Sequence, residues 1–233
     1  MAPLLSVVIP ALNAARHLPP VLAALVRAAE ELPLEIVLAD GGSTDATVDV
    51  AVGCGARIVR AGRGRGTQLA AGADSAEADW LFFLHADTIP GHGWTETFRR
   101  FMAEPSNRDR AAVLRFALDD PSASARRLEA VVGWRTRRLG LPYGDQGLLI
   151  SSAFYRELGG YKRIPIMEDV DLVRRIGRRR LVLLDTPAVT SADRYRHGGW
   201  ILRPLRNLSC LGLYFAGLPP RLIARLYAAP RRP

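Results

Sequence analysis

Cysteines are scarce in this sequence and long apolar runs are absent, and both features narrow what the protein can be. The 233 residues include two cysteines, Cys54 and Cys210, which lie far apart and belong to no CxxC pair. This argues against a disulfide scaffold and a zinc site, and it suits a reducing compartment. No apolar run is long enough to cross a bilayer, and the N-terminal MAPLLSVVIP lacks the basic region of a signal peptide. We therefore expect a cytoplasmic protein.

Linkers and repeats are also missing, and acidic residues are fewer than basic ones. With 48% hydrophobic residues and no Ser/Gly tract, the chain predicts a single domain over residues 1–233. The 32 Lys and Arg against 23 Asp and Glu give a net charge of +9, which favours nucleotides, nucleic acid or an acidic membrane surface as partners. Because no helix-turn-helix, RNP or zinc pattern is present, we expect no nucleic-acid partner.

Apolar runs alternate with helical patterns through the first half of the chain. Leu4–Leu12 and residues 80–87 (WLFFLHAD) are runs typical of strands buried on both faces, and Glu35–Asp40 and Ala56–Ala61 indicate two more strands. Helical patterns with short connections separate them. The pattern predicts an α/β fold with a mostly parallel, Rossmann-like sheet flanked by helices.

The second half is less regular. It predicts strands at Ala111–Leu118 and Leu181–Asp185, a helix at Ser122–Leu139, and an acid-to-Arg helix that begins near MEDVD. The remaining residues, about 199–233, form an amphipathic tail.

Polar residues collect where the predicted strands end. Parallel sheets bind ligands beyond the carboxyl ends of their strands, so these side chains are expected to meet at one edge. They are Pro10, Ala11, Leu12, Asn13, Asp40, His85, Asp87 and, in the glycine-rich loop after the third strand, Arg63 and Arg65.

Several nucleotide-binding and hydrolase motifs are absent. The first strand ends in PALNAA without GxGxxG, the glycines 62, 64 and 66 follow the third strand instead, and neither GxxxxGK[ST] nor GxSxG occurs. A nucleoside-diphosphate donor remains compatible, because it needs a carboxylate for base or ribose, a metal or Arg for the diphosphate, and a general base. A nucleotidyltransferase is an alternative, although it would usually carry a GxGxR-type loop after the first strand.

Four segments carry a family resemblance: SVVIPALN, EIVLADGGSTD, LFFLHADT and MEDVD, in this order. Through them the chain, over about residues 4–185, resembles family 2 glycosyltransferases of the GT-A fold, and within these a short bacterial branch with HAD in place of DxD. The resemblance implies a nucleoside-diphosphate sugar as donor and Mn²⁺ or Mg²⁺ as cofactor, within a nucleotide-binding half of about residues 1–110. It implies donor contacts from Pro10, Ala11, Leu12, Asn13, Asp40, Arg63, Arg65 and Asp87, and metal ligation by Asp87 and His85.

The acceptor half, about residues 111–198, is implied to carry the catalytic carboxylates. Asp169 would be the general base of an inverting transfer, Glu168 would support it, and Asp145 and Gln146 would lie on the acceptor side. His197, in RYRHGGW, is a further candidate for phosphate or metal contact.

Three departures from the family pattern bear on metal dependence and on the donor. Gly41 stands where DDGS has an acid, His85 replaces the first acid of DxD, and Ala14 replaces a common acid after Asn13. A non-catalytic nucleotide-binding protein is therefore a second alternative.

The tail mixes Leu, Tyr and Phe with Arg, and Gly217 with Pro219 and Pro220 argues against one long helix. One reading is a peripheral contact with the inner membrane and a lipid or other apolar alcohol as acceptor. The other readings are packing on the core or against a second copy in a homodimer.

Overall fold

The computed structural model describes residues 3–228, which form eight strands and ten α-helices, with three short 3-10 turns between them. The first half contains β1 (Leu5–Ala11), α1 (Leu18–Ala28), β2 (Leu34–Asp40), α2 (Thr47–Gly53), β3 (Arg57–Arg60), α3 (Arg65–Ser75) and β4 (Trp80–Phe83). The second half contains β5 (Thr88–Pro90), α4 (Trp94–Ala103), β6 (Ala111–Leu118), α5 (Ala123–Leu139), β7 (Leu148–Ser151), α6 (Ser152–Glu157), α7 (Glu168–Ile176), β8 (Leu181–Thr190), α8 (Asp193–Gly198), α9 (Leu202–Phe215) and α10 (Pro220–Ala228).

The eight strands form one mixed sheet in the order β3-β2-β1-β4-β7-β6-β8-β5. The strands of the first half, β3, β2, β1 and β4, are all parallel, as predicted. In the second half β7 is antiparallel to both β4 and β6, β6 is parallel to β8, and β5 is antiparallel to β8. The carboxyl ends of β1, β2 and β4 therefore meet at one edge, where the site lies.

Strand β4 is apolar throughout because helices cover both faces of the sheet. Successive side chains point to opposite faces: the ring centroid of Phe82 lies 4.7 Å from that of Phe98 in α4 on one side, and that of Phe83 lies 5.3 Å from that of Tyr155 in α6 on the other. All four residues of β4 are buried. The rigid strand thus leads straight into the polar segment that follows it.

The strand predicted over residues 80–87 ends earlier than expected. The amide of Leu84 still donates to Val8, but the chain then turns, and the amide of Thr88 donates to the carbonyl of His85. His85 and Asp87 lie in this turn instead of in the strand. The short β5 that follows was not predicted, because three residues carry too little pattern, and β8 extends to Thr190 to pair with it.

The C-terminal segment is broken into two helices, as its glycine and prolines indicated. Cys210 and Leu211 of α9 and Ile223 of α10 are buried against Met167 and Val170 at the start of α7. Within residues 3–228, no helix combines the length and the apolar character that crossing a membrane requires.

Candidate active site

Two cavities adjoin at the carboxyl edge of the sheet. The larger has a volume of about 400 Å³ and the smaller about 130 Å³. Both are lined by the same four side chains, Arg65, His85, Asp87 and Arg194. These four residues form the boundary between the two cavities, and we refer to them as the junction.

The smaller cavity is formed by the end of β1. Pro10, Leu12 and Asn13 line it, whereas Ala11, which points into the core, does not. Asn13 adopts a left-handed conformation (φ 51°), and its side-chain oxygen accepts a 2.8 Å hydrogen bond from the amide of Thr44. The loop after β1 is thereby fixed to the loop after β2.

Asp40 is buried at the end of β2, where it closes its own turn. Its carboxylate accepts hydrogen bonds of 3.1 Å from the amides of Gly42 and Ser43. Asp40 does not line either cavity. A carboxylate has about four acceptor positions, so the two turn bonds leave acceptor capacity.

Asp87 lies between His85 and Arg194 in the junction. Its side chain is 9% exposed, and one carboxylate oxygen lies 3.3 Å from Nη2 of Arg194. The other oxygen lies 4.0 Å from Nδ1 of His85. Sequence reasoning did not select Arg194, although it lies in the RYRHGGW segment. His197 of that segment is exposed, bonds the carbonyl of Asp193 and lies outside both cavities.

His85 is held neutral beside these charges. Burial lowers the pKa of its ring well below the usual value, and the cations Arg65 and Arg194 lower it further. Its buried Nε2 has no hydrogen-bond partner and faces Gly144 so closely that a Cβ there would lie 2.6 Å away. Neutral imidazole is the form that binds metals, and Nδ1 of His85 is the ring nitrogen that faces Asp87.

The N-terminus of α7 presents two carboxylates to the larger cavity. Glu168 is 2% exposed and its Oε1 lies 3.5 Å from Nε of Arg65. Burial raises the pKa of Glu168 to about 7, although Arg65 opposes the shift. Asp169 is fixed by two backbone donors, since it accepts 2.9 Å from the amide of Gly144 and 2.8 Å from that of Val170.

Asp145 and Gln146, both expected on the acceptor side, lie in different surroundings. Asp145 lines the larger cavity with a buried, unpartnered Oδ1, and burial raises its pKa to about 6. Gln146 is 1% exposed and does not line either cavity, because its amide is bound to Thr136 and to the carbonyl of Leu114. These bonds join α5 to β6, so Gln146 does not reach the cavity that Asp145 lines.

The two arginines of the glycine-rich loop also differ in position. Arg65 begins α3 and belongs to the junction, whereas Arg63 is exposed and lines neither cavity. The third glycine of the loop, Gly66, leaves no room for a side chain, because a Cβ there would lie 2.3 Å from the carbonyl of Lys162 and 2.7 Å from that of Ile164. The first turn of α3 thus packs directly on the backbone that leads to Glu168.

The larger cavity is closed by the C-terminal helices, which sequence reasoning did not assign to the site. Besides the carboxylates, its lining combines apolar side chains with a few polar groups. These residues are Ile166, Met167 and Val170 near α7, Arg203, Asn207 and Cys210 of α9, and Ala224 and Tyr227 of α10.

Unpaired polar atoms concentrate at this site. Among the described residues, five buried side-chain nitrogen or oxygen atoms lack a hydrogen-bond partner, and three of them belong to His85, Asp145 and Glu168. Unpaired buried polar atoms are costly in a fold, so a polar ligand is the simplest reason for their arrangement around one cavity.

Comparison with known proteins agrees with this architecture. The family profile of "Glycosyl transferase family 2" matches residues 6–156. The chain belongs to glycosyl transferase family 2. The match includes Asp40, the junction residues Arg65, His85 and Asp87, and Asp145, and it confirms the resemblance drawn from the sequence at the level of the family.

Relatives of known description align with part of the chain. The "PGL/p-HBAD biosynthesis glycosyltransferase" of Mycobacterium tuberculosis (strain H37Rv) is 39% identical over 93 residues, and a Mycobacterium bovis protein of the same description matches equally. The alignment spans 37% of this chain and 36% of the length of these relatives.

Solved structures of low identity share the fold. S. aureus TarS 1-349 in complex with UDP-GlcNAc superposes with a TM-score of 0.62 at 13% identity, covering 80% of this chain and 58% of the other. Glucosyl-3-phosphoglycerate synthase from Mycobacterium tuberculosis, in complex with Mn²⁺ and UDP-glucose, gives 0.59 at 18% identity, covering 93% and 80%. The predicted GT-A fold is confirmed by these likenesses.

Proposed function

We propose that the protein transfers a sugar from a nucleoside-diphosphate sugar to an acceptor hydroxyl. The observation that carries the proposal is the junction: two cations, a neutral histidine and a carboxylate stand between a small cavity at the end of β1 and a larger one at the N-terminus of α7. A donor needs this order, with nucleoside, diphosphate and sugar in a row. Family membership supports the same activity.

The nucleoside would occupy the smaller cavity and the diphosphate the junction. The fixed loop of Asn13 shapes the first, and Asp40, behind the β2 turn, is retained as the proposed contact for base or ribose. Arg65 and Arg194 would neutralise the diphosphate by charge-assisted hydrogen bonds. Arg63, being outside the cavities, keeps only a proposed role in attracting the anion.

A divalent metal fits the junction as a partner of the diphosphate. Within residues 3–228, no three His, Cys, Asp or Glu side chains form a cluster that could hold a metal by themselves. Asp87 and neutral His85 offer two ligands, and Mn²⁺ or Mg²⁺ commonly completes its shell with phosphate oxygens. The metal would supply charge neutralisation of the leaving diphosphate. The Mn²⁺ in the structure of glucosyl-3-phosphoglycerate synthase supports this assignment.

Asp169 is the proposed general base of an inverting displacement. The acceptor oxygen would attack the anomeric carbon, the bond from that carbon to the diphosphate oxygen would break, and the acceptor proton would pass to Asp169. The two backbone amides hold this carboxylate in one orientation, and Glu168 would support it or contact the acceptor. Asp145 would bind acceptor hydroxyls.

An apolar alcohol is the proposed acceptor, because Ile166, Met167, Val170 and Ala224 give the larger cavity an apolar part next to the carboxylates. The hydroxyl would reach Asp169 while the apolar part lies against Met167 and Val170. A cytoplasmic location remains a proposal that the two free cysteines support. The halves at about residues 1–110 and 111–198 would hold donor and acceptor.

A nucleotide-binding protein without catalysis is the second candidate, since His85 and Gly41 leave fewer carboxylates than the family pattern has. A nucleotidyltransferase lost support with the family match. Formation of a glycosylated product from a nucleoside-diphosphate sugar distinguishes an enzyme from the non-catalytic candidate.

The test is Asp169→Asn, with Asp171→Asn as a matched control from the same helical turn. Asp171 binds Lys162 and Arg175 and lines neither cavity. We expect Asp169→Asn to reduce transfer by roughly 100-fold or more while donor binding stays close to wild type. Asp171→Asn should lower the stability of the protein but retain the wild-type rate of transfer at temperatures where the variant is folded. Wild-type transfer by Asp169→Asn would refute the base assignment.

A further inference from the structure

The positive charge of the protein is concentrated at one end of the chain. Residues 199–233 contain six of the 32 basic residues and none of the 23 acidic residues, so residues 1–198 have a net charge of only +3. A charge distributed over solvated helix faces would not have this asymmetry. The C-terminal segment is therefore the part of the protein that attracts an anionic partner.

The outer face of the same segment is apolar. Ile201, Leu205, Leu208 and Phe215 recur at helical spacing and are 72%, 53%, 60% and 49% exposed. The opposite face, with Cys210, is buried on α7. The stripe on α9 is therefore not a core face but an additional apolar surface without a partner among the described residues.

Helix α10 extends this surface and adds the cations. Leu222 and Leu226 are 43% and 60% exposed, and Arg221 and Arg225 are exposed beside them at the same four-residue spacing. Including Leu202, the segment from 201 to 226 contributes seven of the 13 large hydrophobic side chains that are exposed in residues 3–228. Apolar side chains flanked by arginines, without acids, are typical of helices that lie in a membrane interface.

We propose that α9 and α10 form a docking surface for an anionic membrane, on which the acceptor is met. This rests on the proposed function as far as the acceptor is concerned. The inner faces of the two helices, through Asn207, Cys210 and Ala224, line the larger cavity, while their outer faces contact the lipid. An apolar alcohol dissolved in the membrane thereby has a short path to Asp169.

A second copy of the chain fits this surface less well than lipid does. Pairing two such surfaces would bring the exposed Arg221 and Arg225 of each copy close to those of the other, and residues 199–233 contain no acid that could offset them. Anionic headgroups satisfy these cations, and each Arg near an anionic surface adds about fivefold to binding.

Flotation tests the surface, with vesicles of phosphatidylcholine alone and of phosphatidylcholine with phosphatidylglycerol, at low and high salt. We expect flotation with the anionic vesicles at low salt and loss of flotation at high salt. Arg221→Gln/Arg225→Gln should weaken binding roughly 30-fold, and Leu205→Ser/Leu208→Ser more than about tenfold. Protein that stays at the bottom with anionic vesicles at low salt would overturn the proposal.

Two readouts separate this inference from its alternatives. A mass that doubles with concentration, returns to monomer in Leu205→Ser/Leu208→Ser and is accompanied by no flotation would assign the face to a dimer and overturn the proposal. Binding of a nucleoside diphosphate, measured without vesicles, should be unchanged in both double variants. Flotation without any nucleotide binding would leave the membrane surface standing and refute the proposed function instead.

Discussion

The guanidinium of Arg65 lies 3.5 Å from the buried carboxylate of Glu168, which joins the start of α3 to the start of α7. The contact links the loop after β3, on the proposed donor side, to the helix that carries the proposed base. It is also incomplete, because Oε1 of Glu168 is buried without a hydrogen bond.

Glu168→Gln should stabilise the protein at alkaline pH and have little effect in acid. Burial raises the pKa of Glu168 from 4.5 to about 7, so the folded state binds this proton more tightly than the unfolded chain does. The resulting stability is full below pH 4.5 and is lost as the pH rises through about 7. The glutamine has no such loss. We expect its melting temperature to exceed that of wild type by on the order of 5 °C at about pH 8. An equal difference at about pH 5 would contradict the burial argument.

Gly66→Ala should destabilise the fold, whereas Gly62→Ala in the same loop should not. A Cβ at Gly66 would clash with the carbonyl oxygens of Lys162 and Ile164, but at Gly62 it would make an ordinary contact, 3.6 Å from Thr67. Denaturant unfolding should give a loss of about 1–3 kcal/mol for the first and within about 0.5 kcal/mol for the second. Equal losses of unfolding free energy in the two variants would show that α3 has room for a side chain beside the backbone of Lys162 and Ile164.

Gly41 and Gln68 should behave as a coupled pair. A Cβ at Gly41 would lie 3.0 Å from the side chain of Gln68, whose amide bonds the carbonyls of Ala11 and Ala39. The amide thus occupies space that an acid at position 41 would need. We expect Gly41→Asp to cost less stability in a Gln68→Ala background than in wild type. Strict additivity in the double-mutant cycle would disprove the competition for space.

Arg194 and Asp87 should affect diphosphate binding in different ways. Arg194→Gln removes a cation from the junction, so it should weaken diphosphate binding roughly 10-fold to 100-fold with or without metal. Asp87→Ala should remove only the part of the affinity that depends on metal. Calorimetric titration with and without Mn²⁺ separates the two, and equal affinity with and without metal in wild type and Asp87→Ala would remove the metal role.

Much of the fold could be predicted because buried strands leave a strong pattern. The parallel first half follows from β-branched runs, and the meeting of Asn13, Asp40 and Asp87 at one edge follows from strand direction. The short β5 could not be predicted, because three residues carry no reliable period. The end of β4 at Phe83 was missed because Leu84 and Ala86 extend the apolar run beyond it and no Gly or Pro marks the turn.

The site was predicted less completely because it depends on packing across long sequence distances. Gln146 looked like an acceptor contact beside Asp145, but neighbouring residues point in different directions and its amide is used in the core. Arg194 is the clearest omission. It reaches Asp87 from a helix more than a hundred residues later, and the charge pattern of RYRHGGW only suggested such a contact for His197.

The most direct measurement is thermal unfolding of the full chain with UDP, GDP, TDP, CDP, ADP and NAD, each with and without Mn²⁺ or Mg²⁺. Ligand at about 100 times its dissociation constant adds roughly 2.7 kcal/mol, which raises the melting temperature of a domain this size by on the order of 5–10 °C. We expect a shift with at least one nucleoside diphosphate that grows with metal and falls in Arg194→Gln. No shift with any nucleoside diphosphate, or a shift with NAD alone, would contradict it.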